Sequence, residues 1–148
     1  MQPMLNIALR AARAAGEIIV RSMDRLDSLS VNEKDSKDYV TQVDQAAEKA
    51  IVNTILKAYP DHGIQGEEGT SVTGTGEGAD YLWVIDPLDG TTNYIHGIPH
   101  FAVSIACKFR GRVEHAVVRI GFENGVDDGF FSGTVDLGDV IFTVFFID

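Results

Sequence analysis

The sequence is short of cysteine, of positive charge and of long apolar runs, and each shortage closes off a class of function. Its single cysteine, Cys107, excludes a disulfide within the chain and fits a reducing compartment. Cys107 lies in an apolar strand pattern, and the adjacent Lys108 points to the opposite face, so it reads as a small core residue and not as an activated nucleophile. Twelve Lys and Arg against 22 Asp and Glu leave a net charge of −10, which argues against direct nucleic-acid binding. So acidic a chain also needs metal to attract a phosphate monoester. Arg10, Arg13 and Glu17 interrupt every candidate apolar core of a secretion signal, and no run is long enough to span a bilayer. The expectation is a cytoplasmic protein without a membrane partner. Its 148 residues, 45% of them hydrophobic, suffice to bury one domain-sized core.

Leu5, Ala8, Leu9, Ala12, Ala15, Ile19 and Met23 recur at helical spacing and predict a first helix over residues 4–25. Val43, Ala46, Ala47, Ala50, Ile51, Ile55 and Ala58 predict a second, capped by Thr41 with Asp44 in the capping-box position and stopped by Pro60. The polar segment 26–38 between them reads as a loop. Residues 71–78 are rich in glycine and threonine but lack the Lys-Ser/Thr of a P-loop, so they read as a connection. Residues 101–109 and 113–118, joined by Arg110-Gly111-Arg112, predict a β-hairpin. His96 and His100 have Gly97 and Pro99 between them, which disfavours the helix that would align both rings on zinc.

The most informative segment is Asp86-Pro87-Leu88-Asp89-Gly90-Thr91-Thr92-Asn93, which follows the apolar run Tyr81-Leu82-Trp83-Val84-Ile85. The run predicts a buried strand that Pro87 ends, leaving Asp86 and Asp89 near its carboxyl end. Hard cations such as Mg²⁺ take carboxylate oxygens together with main-chain carbonyls, here that of Leu88. Gly90 permits close approach of a ligand, and the amides of residues 90–92 can cradle phosphate oxygens. The same pentapeptide is also good turn chemistry, with Asp89 capping a short helix. Upstream, the pair Glu67-Glu68 is either a solvated loop edge or the source of a third carboxylate, whose mutual repulsion a cation would neutralise.

Three motifs in order, Asp38-Tyr39-Val40-Thr41-Gln42-Val43-Asp44, then Gly66-Glu67-Glu68, then Trp83 through Asn93, resemble the inositol monophosphatase family, and most closely its bacterial SuhB-like branch. The resemblance extends over residues 1–118 and includes Met4-Leu5-Asn6-Ile7-Ala8 and Pro99-His100-Phe101-Ala102-Val103-Ser104-Ile105. It implies an α+β fold, with two amino-terminal helices packed on an antiparallel β-sheet as in the amino-terminal half of the family's αβαβα sandwich. It implies Mg²⁺ bound by Glu67, Asp86, Asp89 and the Leu88 carbonyl, with phosphate held at Leu88, Asp89 and the Gly90 and Thr91 amides. In the family the threonine matching Thr91 pairs with the aspartate matching Asp44, and with the glutamate matching Glu67 they orient and activate the attacking water. Asp44 thus has two compatible readings, cap and catalyst. Lys34 matches a family lysine on a mobile loop near the phosphate, and reads equally as an exposed loop lysine.

The reaction implied is hydrolysis of a phosphate monoester. Thr91-Thr92-Asn93 is similar to inositol monophosphatases, and that resemblance implies inositol 1-phosphate or a similar small phosphorylated polyol as substrate. A homodimer is implied too. The alternative is a catalytically inactive or regulatory protein associated with transcription antitermination proteins, and a third reading is a non-enzymatic metal-binding domain. From Arg119 onward no family motif follows, and the Trp-Asp motif carrying another metal ligand is absent. The expectation is an unmatched tail over residues 119–148, out of frame or rearranged on a truncated phosphatase. Its apolar stretch 141–147 reads as an edge strand or an aggregation-prone segment.

Overall fold

The computed structural model describes the backbone of residues 3–28, 33–98, 101–121, 132–136 and 141–147, with side chains over 3–26, 34–98 and 101–113. His100 and residues 122–131 lie outside the described residues. Helices α1 (Pro3–Ser28) and α2 (Glu33–Ala58) pack together on one face of a seven-stranded sheet. The strands are β1 (Gly63–Gly66), β2 (Ser71–Val72), β3 (Tyr81–Asp89), β4 (Phe101–Phe109), β5 (Arg112–Gly121), β6 (Ser132–Asp136) and β7 (Ile141–Ile147). A 3₁₀ turn covers Gly76–Asp80, and a five-residue helix, α3 (Thr91–Ile95), links β3 to β4. Among the described residues no helix is long and apolar enough to cross a membrane.

The class is α+β, but the sheet is mixed where an antiparallel one was expected. Its order is β2-β1-β3-β4-β5-β7-β6, with β1–β3 and β5–β7 parallel and the other pairs antiparallel. Parallel pairing needs a crossover between the two strands. Residues 67–80, which include β2 and the 3₁₀ turn, supply it for β1 and β3. The expected hairpin forms as β4 and β5, turning through Arg110 (φ 50°) and Gly111 (φ 82°). Residues 141–147 are not at the edge, since β7 lies between β5 and β6 and has its backbone partners on both sides.

The core lies between the helices and one sheet face. Ala8, Ala12, Ala15 and Ile19 of α1 and Val43, Ala47, Ile51 and Ile55 of α2 are buried with Trp83, Ile85, Val103, Ile105 and Cys107. The small alanines of α1 let that helix sit close to its neighbours, while the period-two burial of β4 sends alternate side chains into the core.

Three local expectations are corrected. Within the predicted loop over 26–38, residues 26–28 and 33–38 are helical, because Val40 is buried and the Tyr39 hydroxyl donates to the Ser22 carbonyl (3.2 Å), which fasten the first turns of α2 to α1. Thr41 is therefore inside α2 and caps nothing, and its hydroxyl donates back to the Lys37 carbonyl (3.0 Å). Pro87 does not end β3: the ladder slips register between Asp86 and Asp89 and resumes with Asp89 opposite Ala102. Such an irregularity is where a strand tolerates proline.

Candidate metal and phosphate site

The parallel pairing of β1 and β3 sets Gly66 opposite Ile85, so the residues that follow, Glu67 and Asp86, emerge at the same end of the sheet. The Glu67 N–H donates to the Ile85 carbonyl (3.0 Å), and the Glu67 side chain acts electrostatically on Asp86. Asp44, buried on the sheet-facing side of α2, comes to the same place and interacts with Glu68, Asp86 and Glu67.

Carboxyls crowded in this way resist ionisation. Burial, helped by the charges of Glu68 and Asp86, pushes Asp44 up to about 8. Burial and the neighbouring Glu67 push Asp86 up to about 7, with Asp89 adding repulsion and the Leu88 backbone pulling the other way. Burial also raises Glu68, against the lowering effect of Asp44. Among the described residues, Asp44 Oδ1 and Asp86 Oδ1 are buried oxygens without a hydrogen-bond partner. Buried polar atoms are ordinarily satisfied, and orphaned carboxylate oxygens amid excess negative charge suit a hard divalent cation.

Mg²⁺ therefore fits the donor chemistry of Glu67, Asp86 and their neighbours. The side chains do not form a closed cage: among the described residues no three or more His, Cys, Asp or Glu are grouped so as to hold a metal ion. Mg²⁺ commonly binds through one or two carboxylates, with water and substrate phosphate completing its shell.

The other expected residues occupy the turn beyond. Asp89 is exposed, and its charge reaches Asp86. The Leu88 side chain is buried, and its carbonyl accepts the Thr91 hydroxyl (3.2 Å). Gly90 takes the left-handed conformation (φ 89°) and is the N-cap of α3, so Asp89 does not cap that helix. The Thr91 hydroxyl donates to the Leu88 carbonyl, while the charges that act on Asp44 are those of Glu68, Asp86 and Glu67. Thr91 begins a helix three residues after Leu88, so that carbonyl lies within one turn of its hydroxyl. Lys34 is exposed in the first turn of α2, ten residues and about 15 Å of helix from Asp44, and stands on no loop.

Two participants escape the sequence reading. Glu68 was legible only as half of an acidic pair, yet its charge is the foremost one acting on Asp44. Glu48 is 2% exposed, and its carboxylate accepts the N–H groups of Glu68 (2.7 Å) and Thr70 (3.0 Å). The signal for Glu48 is its spacing from Asp44, four apart within the stripe of Val40, Val43, Ala47, Ile51 and Ile55. Acids in a core-facing stripe need a partner.

Known proteins share this architecture. The inositol monophosphatase family model matches residues 1–135. A Nus factor SuhB of Pseudomonas aeruginosa is 75% identical over 118 residues, covering 80% of this chain and 44% of that protein. Its Escherichia coli counterpart is 54% identical over 118 residues, covering 80% and 43%. The native structure of extragenic suppressor protein SuhB from Bartonella henselae is similar with a TM-score of 0.68 at 41% identity, covering 80% of this chain and 45% of that one. Inositol monophosphatase from Anabaena gives 0.62 at 34% identity, covering 78% and 39%. The chain thus spans less than half the length of these relatives. Motif order, sheet-end geometry and a match over residues 1–135 of 148 converge: the chain belongs to the inositol monophosphatase family.

Proposed function

We propose that this chain takes part in Mg²⁺-dependent hydrolysis of a phosphate monoester, with inositol 1-phosphate or a similar small polyol phosphate as substrate. The observation that carries the reading is the meeting of Glu67, Asp86 and Asp44 at one sheet end, with orphaned oxygens on both aspartates. In this reading Glu67, Asp86, Asp89 and the Leu88 carbonyl hold Mg²⁺. The ion supplies positive charge opposite the phosphoryl oxygens, which an acidic protein otherwise lacks. The Gly90 and Thr91 amides hold the phosphate, and the positive φ at Gly90 lets the backbone come close. Glu67, Asp44 and Thr91 would orient and activate the attacking water, so that positioning and charge carry the catalysis.

The test is phosphate release from inositol 1-phosphate with and without Mg²⁺, for the parent chain and for Asp89→Asn. Release should require Mg²⁺ and be lost in the variant. Equal release by both proteins overturns the assignment.

The 75% identity to a Nus factor SuhB favours a second reading, a regulatory protein that associates with transcription antitermination proteins. In that case Asp89→Asn retains the association while phosphate release is absent from the parent as well.

A further inference from the structure

We infer that Glu48 is the positioning residue of this site: its buried carboxylate grips the turn that carries Glu67 and Glu68, and that grip sets the affinity for a divalent cation. The inference rests on the metal reading above.

The turn is already closed by its own backbone. The Gly66 N–H donates to the Thr70 carbonyl (2.7 Å), the Gly69 N–H to the Gly66 carbonyl (3.3 Å), and Ile64 and Gln65 pair with Val72 and Ser71. Those bonds leave the Glu68 and Thr70 amides to find an acceptor outside the turn. Glu48 reaches in from α2 and takes two further amides, Glu68 N–H on Oε2 (2.7 Å) and Thr70 N–H on Oε1 (3.0 Å), one on each oxygen. The two bonds fix the peptide between Glu67 and Glu68 against the helix that also presents Asp44.

Gly66 makes room for this grip, since a Cβ there would collide with the Glu48 carboxyl carbon and both its oxygens. Electrostatics runs against the arrangement, because Glu48 adds repulsion to Glu68. The contact brings one more negative charge to an acidic cluster, and besides satisfying the Glu68 and Thr70 amides it fixes the geometry of Glu67 and Glu68. Groups that orient metal ligands typically alter metal affinity about 10–100-fold when removed.

The experiment is calorimetric titration of the full chain with Mg²⁺ alone, with amide hydrogen exchange at Glu68 and Thr70 as a second measurement. Glu48→Ala and Gly66→Ala should weaken Mg²⁺ binding about 10–100-fold and lose protection at both amides. Glu48→Gln, which keeps one acceptor, should recover part of both. Ile55→Val, a core change on the same helix, should bind Mg²⁺ as the parent does. If Glu48→Ala does not fold, Glu48→Gln decides. Parent-like affinity in the folded Glu48 variants overturns the role of Glu48 while leaving the metal site standing. No Mg²⁺ binding by the parent overturns the metal reading and this role together.

Discussion

The indole N–H of Trp83 donates to Nδ1 of His62 at 2.9 Å, and the imidazole stacks on the rings of both Tyr59 (4.6 Å) and Tyr81 (4.4 Å). The bond requires a neutral ring, with the proton on Nε2. Burial lowers the His62 pKa below its usual value, only partly opposed by Asp61. The folded protein thus binds this proton less readily than the unfolded chain, and the stabilisation is complete above about pH 6.5 and lost on acidification below it. His62→Phe keeps a ring in the stack but orphans the indole donor, at a cost of about 1–3 kcal/mol at pH 7.5. Urea midpoints should show the gap between parent and variant narrowing as pH falls from about 7.5 to 5.5. A gap that widens on acidification contradicts the assignment.

The Tyr94 hydroxyl donates to the Ile19 carbonyl (2.8 Å), and its ring meets Phe101 edge-on with centroids 5.5 Å apart. Tyr94→Phe retains the packing and removes one buried hydrogen bond, so it should cost about 0.5–1.5 kcal/mol. Tyr94→Ala should cost about 3–5 kcal/mol because it also opens a cavity. Chemical denaturation distinguishes the two, and equal losses would sink the argument that the ring provides most of the stabilisation.

Asp86 should weaken the cation-free fold as pH rises. A raised folded-state pKa gives stability that is present at low pH and lost as pH climbs through about 7. In EDTA at about pH 8, Asp86→Asn should melt at or above the parent temperature. Saturating Mg²⁺ should stabilise the parent by about 2.7 kcal/mol at one hundred times its Kd, with little effect on the variant. Thermal scans in EDTA and in Mg²⁺ check both halves, and equal Mg²⁺ shifts in the two proteins would remove Asp86 from the ligand set.

At Gly111, φ is 82° and a Cβ would meet no neighbouring atom, so substitution there strains only the backbone. Gly111→Ala should cost about 1–2 kcal/mol and leave Mg²⁺ affinity unchanged. A change in Mg²⁺ affinity, measured by calorimetry, would mean that the hairpin turn communicates with the sheet end.

The helices were legible because their apolar stripes are long, and the β4–β5 hairpin because Arg110-Gly111 separates two apolar runs. The first turns of α2 were not, since residues 33–38 are polar and what holds the helix down is the later pair Tyr39 and Val40. Pro87 misled for a related reason. Its missing N–H forbids a regular ladder but not a bulged one. At the site, sequence could mark Glu67 and Asp86 as acids worth bringing together, but that they are neighbours follows from the parallel register of β1 and β3. Glu48 was hidden by its own chemistry. A glutamate in a helix reads as solvent-facing until the amides it serves, 20 and 22 residues away, are seen in space.

The hydrogen bond from Tyr94 to Ile19 joins positions 75 residues apart. At a synthesis rate of about 5–20 residues per second, Ile19 is added to the chain about 4–15 s before its buried partner Tyr94. During that interval the apolar stripe of α1 has no sheet to cover it, which makes the nascent helix a natural client for a chaperone and makes closure of the acidic end of the sheet a late event in the life of each molecule.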